Sequence, residues 1–205
     1  SAGMLRFLKS ELDLPIFVMI RPRGGDFVYS SKELLVMKHD MQLLGDLGAD
    51  GFVFGVLDAQ GAVNEAACEF LLRAAASKPC TFHRAIDASA NLQDSLKKIM
   101  QLGFQRVLTS GGKNSPSEGL DQVLELLRLA QDQLIVMPGG GLKPAHVPIL
   151  KASGYLKEIH ASCKLAKPST NQFTNPELSF SSTPLDYSTI FGIDPAVVEE
   201  FKSVL

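Results

Sequence analysis

Short apolar segments recur along this chain, and most are followed by glycine or polar residues. They are continuously apolar rather than alternating, which is typical of parallel strands covered on both faces. The intervals of roughly 25–35 residues match the length of a βαβ unit. The sequence therefore predicts six parallel strands, at residues 15–20, 51–57, 80–83, 106–110, 134–137 and 158–162.

Amphipathic helices are predicted between most of these strands. Ser30 and Glu33 form a capping-box pattern at the start of one helix. Glycines 48, 103 and 154 come shortly before strands, where a left-handed residue ends a helix. This β-α repeat predicts a single α/β domain over residues 1–205, as a (β/α)8 barrel or an open doubly wound sheet. Residues 168–184 are predicted as a long loop before a last helix that begins at Asp194 and Pro195.

Charge and composition exclude several classes of protein. The net charge is −2 and no basic run is present, which argues against nucleic-acid binding. No apolar stretch approaches the ~20 residues of a membrane span. The three cysteines are too scattered for a disulfide framework. A cytoplasmic protein without nucleic-acid or membrane partners is expected.

Polar residues gather after the predicted strands, where the carboxyl ends of parallel strands form ligand sites. Two of these segments are glycine-rich turns after consecutive strands. Backbone N–H groups in such turns can approach an anion closely. The paired turns predict a site for a small anionic molecule, although the glycines could serve tight turns alone. The candidate anion-binding residues are Arg23, Asp26, Ser110, Gly111, Gly112, Gly139, Gly140 and Gly141.

The candidate catalytic residues are His83, Arg84, Asp87 and Arg21. His83 could act as an acid or base with Asp87 orienting it, and an arginine fork suits a carboxylate or phosphate. The alternatives are a hydrogen-bonded core histidine and an arginine that pairs with a nearby aspartate. His160 and Cys163 could together bind a soft metal.

Five segments of the sequence resemble the CutC family, known as copper homeostasis proteins. They are "FVMIRPRGGDFVYS", "DGFVFGVL", "TFHRAID", "GFQRVLTSGG" and "IVMPGGG". The resemblance implies a cytoplasmic TIM-type (β/α)8 barrel that is often oligomeric and linked to copper. It also implies that the candidate residues from Arg21 to Gly141 line one pocket.

The chain departs from the family pattern in two ways. It supplies six strands of the eight that the family barrel has, because the first two strands have no counterpart here. It also has His160, Ala161 and Ser162 where some members have His-Cys-Ser, with Cys163 following. Three functions are therefore expected as alternatives. They are copper binding or handling, an enzyme acting on a small phosphate- or carboxylate-bearing substrate, and an inactive shortened paralogue. A homo-oligomer is expected because an incomplete barrel leaves strand edges unpaired.

Overall fold

A computed structural model describes residues 1–173, 175 and 189–205. Helices and strands alternate through most of the chain. The strands are β1 (Phe17–Met19), β2 (Gly51–Phe54), β3 (Cys80–Phe82), β4 (Arg106–Thr109), β5 (Ile135–Pro138), β6 (Lys164–Pro168) and β7 (Thr189–Ile193). The helices are α1 (Ala2–Glu11), α2 (Ser31–Asp46), α3 (Glu65–Ala74), α4 (Leu92–Gln101), α5 (Pro116–Ala130), α6 (His146–Lys151) and α7 (Pro195–Val204), and a 3-10 turn spans Arg84–Ala88.

Strands β1 to β5 form one parallel sheet in sequential order. A doubly wound sheet reverses its order at a switch point, whereas a barrel winds in one direction. The sequential order therefore confirms the barrel-type α/β fold. The predicted capping box at Ser30 and Glu33 is present, and Gly48, Gly103 and Gly154 have positive φ as predicted.

One face of this sheet carries the hydrophobic core. Phe52, Phe54, Phe82 and Val107 are almost fully buried and belong to one cluster with apolar side chains of the helices. The opposite, concave face lines a cavity of about 360 Å³. At β1 this face is open, since Met19 is 52% exposed. The prediction that every strand is covered on both faces is therefore wrong at this edge.

The sixth predicted strand, at residues 158–162, is not a strand in the structure. The His160 N–H donates to the Pro138 carbonyl at 2.9 Å, which joins the segment to β5. A single bond of this kind does not make a ladder, so the segment remains irregular. Instead β6 pairs antiparallel with β7. Pro168, the first residue of the predicted loop, is therefore the last residue of strand β6. Residues 174 and 176–184 of that predicted loop lie outside the described residues.

Within the described residues, no helix combines the length and apolar character that crossing a membrane requires.

Candidate functional site

The carboxylate of Asp87 is the centre of the candidate site. It accepts hydrogen bonds from the Thr109 hydroxyl at 2.6 Å, the Ser110 N–H at 3.1 Å and the Gly112 N–H at 3.0 Å. Arg84 Nε donates to it at 2.7 Å, and the Asp87 side chain is only 8% exposed. Asp87 therefore fixes the turn after β4 and one edge of the Arg84 guanidinium.

This arrangement changes the role of the first glycine-rich turn. The N–H groups of Ser110 and Gly112 point at a protein carboxylate, and the Gly111 N–H donates to Thr109 Oγ1 at 2.9 Å. The turn does bind an anionic group through its backbone, but that group is Asp87. An external anion has to be held by side chains at the rim.

The second glycine-rich turn, at residues 139–141, leaves room for the Arg84 side chain because its residues have no Cβ atom. A Cβ atom on Gly140 would lie 2.7 Å from Arg84 Nη1, and Gly140 has a φ of 84°. A Cβ atom on Gly139 would lie 2.9 Å from the Cβ atom of His160. The two turns predicted as a pair are thus brought together around the Arg84 side chain, and the glycines permit this close approach.

Arg84 has a partner for most of its donors. Its Nη2 donates to Ser110 Oγ at 2.6 Å and to the Lys113 carbonyl at 2.9 Å. Within the described part of the chain, Nη1 has no hydrogen-bond acceptor. The guanidinium is therefore held rigidly while one donor stays free, which is the arrangement that favours binding of an oxyanion.

A pocket of about 510 Å³ opens beside Arg84. Phe27 forms one wall, and the Arg21 guanidinium lies 4.7 Å above its ring. Lys113 contributes a second exposed cation, and Glu118 adds a carboxylate at the rim. The pocket lining thus carries three cations, Arg21, Arg84 and Lys113, and two carboxylates, Asp87 and Glu118. This positive balance makes the pocket suitable for a small anion.

Arg23 and Asp26 do not line this pocket. Arg23 donates to Glu33 at 2.6 Å and to Asp26 at 2.9 Å, which ties the loop after β1 to the start of α2. The Ser30 N–H and Arg23 lower the pKa of Glu33 to about 2. Arg23 and Asp26 therefore stabilise the loop after β1. This agrees with the alternative given in the sequence analysis, that an arginine here pairs with a nearby aspartate.

His83 is buried next to the pocket. Its Nδ1 accepts the Ala85 N–H at 3.2 Å, and its ring packs 4.9 Å from Phe27. Burial lowers the pKa of His83 to about 4, with a smaller contribution from Arg21. The imidazole is thus neutral near pH 7 and carries its proton on Nε2. The expectation that Asp87 orients His83 is wrong, because Asp87 binds Arg84 and the β4 turn instead.

The predicted soft-metal pair is not joined into a larger site. Cys163 is half-buried in a left-handed conformation with a φ of 43°, and His160 lies against Gly139. In residues 1–173, 175 and 189–205, no group of three or more His, Cys, Asp or Glu side chains is placed to hold a metal ion. Burial raises the thiol pKa of Cys68 and of Cys80 to about 12, so neither is a ready thiolate.

The match to known proteins is extensive. The CutC family profile matches residues 1–165. The chain belongs to the CutC family. It is 40% identical over 184 residues to the copper homeostasis protein cutC homolog of Homo sapiens, covering 89% of this chain and 67% of that protein. A CutC family protein of Klebsiella pneumoniae is 36% identical over 206 residues, and the match covers 100% of this chain and 83% of that protein.

A solved CutC structure has the same fold. The crystal structure of CutC from Streptococcus agalactiae superposes with a TM-score of 0.72 at 30% identity, covering 78% of this chain and 80% of that one. Not all relatives are spanned to this extent. The match to the Xylella fastidiosa CutC family protein covers 80% of this chain and 61% of that protein.

Proposed function

We propose that this chain takes part in copper homeostasis in the cytoplasm, and that its pocket binds a small anionic molecule. Membership of a family whose human and mouse members are named copper homeostasis proteins supports the first part. The free Nη1 donor of the rigid Arg84, beside Arg21 and Lys113, supports the second.

The donor set does not fit a tight copper site within one described chain. Cu(I) prefers two or three thiolate or thioether ligands held close together. Cys68 and Cys80 are fully buried thiols, and Cys163 has only His160 as a nearby candidate partner in sequence. The residues of the described chain therefore do not fit a resident copper ion, and the anion pocket is the binding site that the proposal concerns.

Competition with a strong Cu(I) chelator tests the copper part. We expect the purified protein to compete poorly and Cys163→Ser to remove any stoichiometric binding that remains. Cys68→Ser is the matched control and should leave Cu(I) binding unchanged, because that thiol is buried. Tight one-to-one Cu(I) retention that survives Cys163→Ser would restore direct copper binding as the function of the chain.

Thermal stabilisation by phosphate tests the anion part. A ligand that binds only the folded state raises stability by mass action. We expect millimolar phosphate to raise the melting temperature of the parent protein, and Arg84→Gln to abolish that increase. Gly140→Ala should also abolish it, because the new methyl group would displace Arg84. Gly3→Ala, at an exposed position in α1 with nothing within 4 Å, is the control. A parent protein that phosphate does not stabilise would contradict the anion site.

A further inference from the structure

A second groove, of about 540 Å³, lies between α2 and α3. It is lined by one side of each helix, by Phe52 of β2 and by the residues that follow α3. Both helices end here, shortly before β2 and β3 begin. The groove therefore lies at the amino ends of the parallel strands, whereas the anion pocket lies beyond their carboxyl ends, and the two share no lining residue.

The floor of this groove is apolar. Met41 and Phe52 are each only 1% exposed, and Phe70 is half-buried on the α3 side. The lining residues of α2 are spaced three or four apart, so they share one face of that helix. They are Lys38, Met41, Gln42, Gly45 and Asp46. An apolar part of a ligand would thus lie against buried side chains that are already fixed by the core.

Gly45 gives the groove part of its depth. It lies in the last turn of α2, where glycine costs helix stability relative to alanine. Its φ is not in the left-handed region, and a Cβ atom would lie 3.6 Å from Phe52 Cζ and 3.7 Å from Lys78 Cε. These are ordinary van der Waals distances, so neither the backbone nor the packing requires glycine here. The missing side chain instead leaves space above the Phe52 ring.

Two half-buried lysines line the groove without a counter-ion. Lys38 Nζ lies 5.6 Å from the centre of the Phe70 ring, and Lys78 packs its stem towards Gly45. In the part of the chain that the structure describes, neither lysine forms an ion pair or a side-chain hydrogen bond. Both ammonium groups are therefore available to an anion that enters the groove.

The other charged residues leave the lining positive. Arg73 also lines the groove and forms an exposed ion pair with Glu69 at 3.7 Å, while Asp46 is the one carboxylate among the lining residues. Cations near a helix C-terminus can serve the helix dipole alone. Lys38, however, lies in the middle of α2, and the last turn of that helix holds no basic residue. The dipole therefore does not account for Lys38.

We propose that this groove binds a small amphipathic anion. The ligand class is an apolar ring or short chain that carries a carboxylate or a phosphate. Its apolar part lies over Phe52 and Met41, and its anionic group pairs with Lys38 and Lys78. This is a second binding site, which goes beyond the proposed function and does not depend on the anion pocket.

Methyl NMR of the parent protein tests the inference at the groove itself. Phenyl phosphate and benzoate are titrated separately into protein with isotope-labelled methionine methyl groups, and Met41→Leu assigns the Met41 signal. We expect that signal to shift saturably with the preferred anion, at about tenfold lower concentration than inorganic phosphate or phenol requires. Comparing the two aromatic anions distinguishes phosphate from carboxylate. Met137 lines the concave cavity instead, so its signal is the internal reference.

Two substitutions measure the contributions of the rim and the floor. Lys38→Gln should weaken binding of the preferred anion about three- to fivefold, as for the loss of one partly exposed ion pair. Lys32→Gln, at an exposed position of α2 outside the groove, removes the same charge and is the matched control. Gly45→Ala should also weaken binding, yet raise the melting temperature by about 1–3 °C, because alanine is the better helix former.

Four outcomes would overturn the inference. The first is a Met41 signal that neither aromatic anion moves, which leaves the anion pocket unaffected. The second is phenol binding as tightly as the anions, because the groove would then be only an apolar cleft. Equal effects of Lys38→Gln and Lys32→Gln would show that the rim does not recognise the charge. Unchanged binding by Gly45→Ala would show that the ligand does not occupy the floor.

Discussion

At the residue scale, His83 makes stability depend on pH. Its pKa of about 4 in the folded protein lies below the 6.5 of an ordinary histidine. Well above pH 6.5 the imidazole is neutral in both the folded and the unfolded chain, so it has no effect on the free energy of unfolding. As pH falls from 6.5 to 4, the unfolded chain takes up a proton that the folded protein does not. The free energy of unfolding therefore decreases through this window.

We expect His83→Asn to remove this part of the pH dependence. The asparagine Oδ1 can replace Nδ1 as acceptor for the Ala85 N–H, and asparagine does not titrate. Urea unfolding should show the parent losing about 2 kcal/mol more than the variant between pH 7.5 and pH 5. Burial lowers the pKa of His146 and His160 as well, so the difference between the two proteins is the relevant quantity. Parallel curves for the two proteins would show that His83 titrates normally.

Single residues also show where sequence reasoning was sufficient. The Ser30 and Glu33 capping box depends on residues three apart, so the sequence predicted it correctly. Arg23 and Asp87 each have one partner three residues away, but Glu33 and the turn after β4 are brought to them only in the folded chain. Phe27 was not recognised as a site residue, because nothing in its sequence context indicates that its ring forms a wall of the pocket.

At the scale of elements, the junction of β4 and α5 depends on two glycines that meet. A Cβ on Gly119 would lie 2.1 Å from the Ser110 carbonyl oxygen, and one on Gly111 would lie 2.3 Å from the Gly119 carbonyl oxygen. Gly119 has non-helical angles inside α5, with φ −107° and ψ 18°. Backbone rather than a flexible side chain opposes any added atom here, so the contact fixes the position of the turn that carries Ser110.

Gly119→Ala is therefore expected to destabilise the protein by about 1–3 kcal/mol, although alanine is the better helix former. Gly3→Ala in α1 is the matched control and should be neutral or stabilising by up to about 1 kcal/mol. Chemical denaturation of both variants measures the difference. A Gly119→Ala protein as stable as the parent would show that α5 can shift without cost.

The elements also show the limit of strand prediction. Five apolar runs formed strands because each has a parallel neighbour to pair with. The run at residues 158–162 was predicted as a strand in the same way, although it contains Glu158 and His160, and it is joined to β5 by the His160 N–H bond to the Pro138 carbonyl. Strand formation depends on pairing partners, and local sequence does not reveal how many a segment will find.

At the scale of the whole molecule, the concave face of the sheet is apolar and accessible. Phe17, Met19, Val53, Leu108 and Met137 line its cavity, and the ion pair between Arg106 and Glu158 lies beside them. Among the described residues, β1 and β5 each pair with one strand of the parallel sheet. Open edges and an exposed apolar face both favour association with other chains.

We predict that this 205-residue chain self-associates through that face. Sedimentation velocity over a concentration series should show dimers or larger species. Met19→Lys places a charge on the concave face at a position that is already 52% exposed, so it should weaken association without unfolding the protein. Leu35→Lys is the matched control, because Leu35 is 47% exposed on α2 and should leave association unchanged. An equal effect of the two substitutions would place the contact elsewhere on the surface. A parent protein that stays monomeric at all concentrations would show that the face is stable in water without a partner.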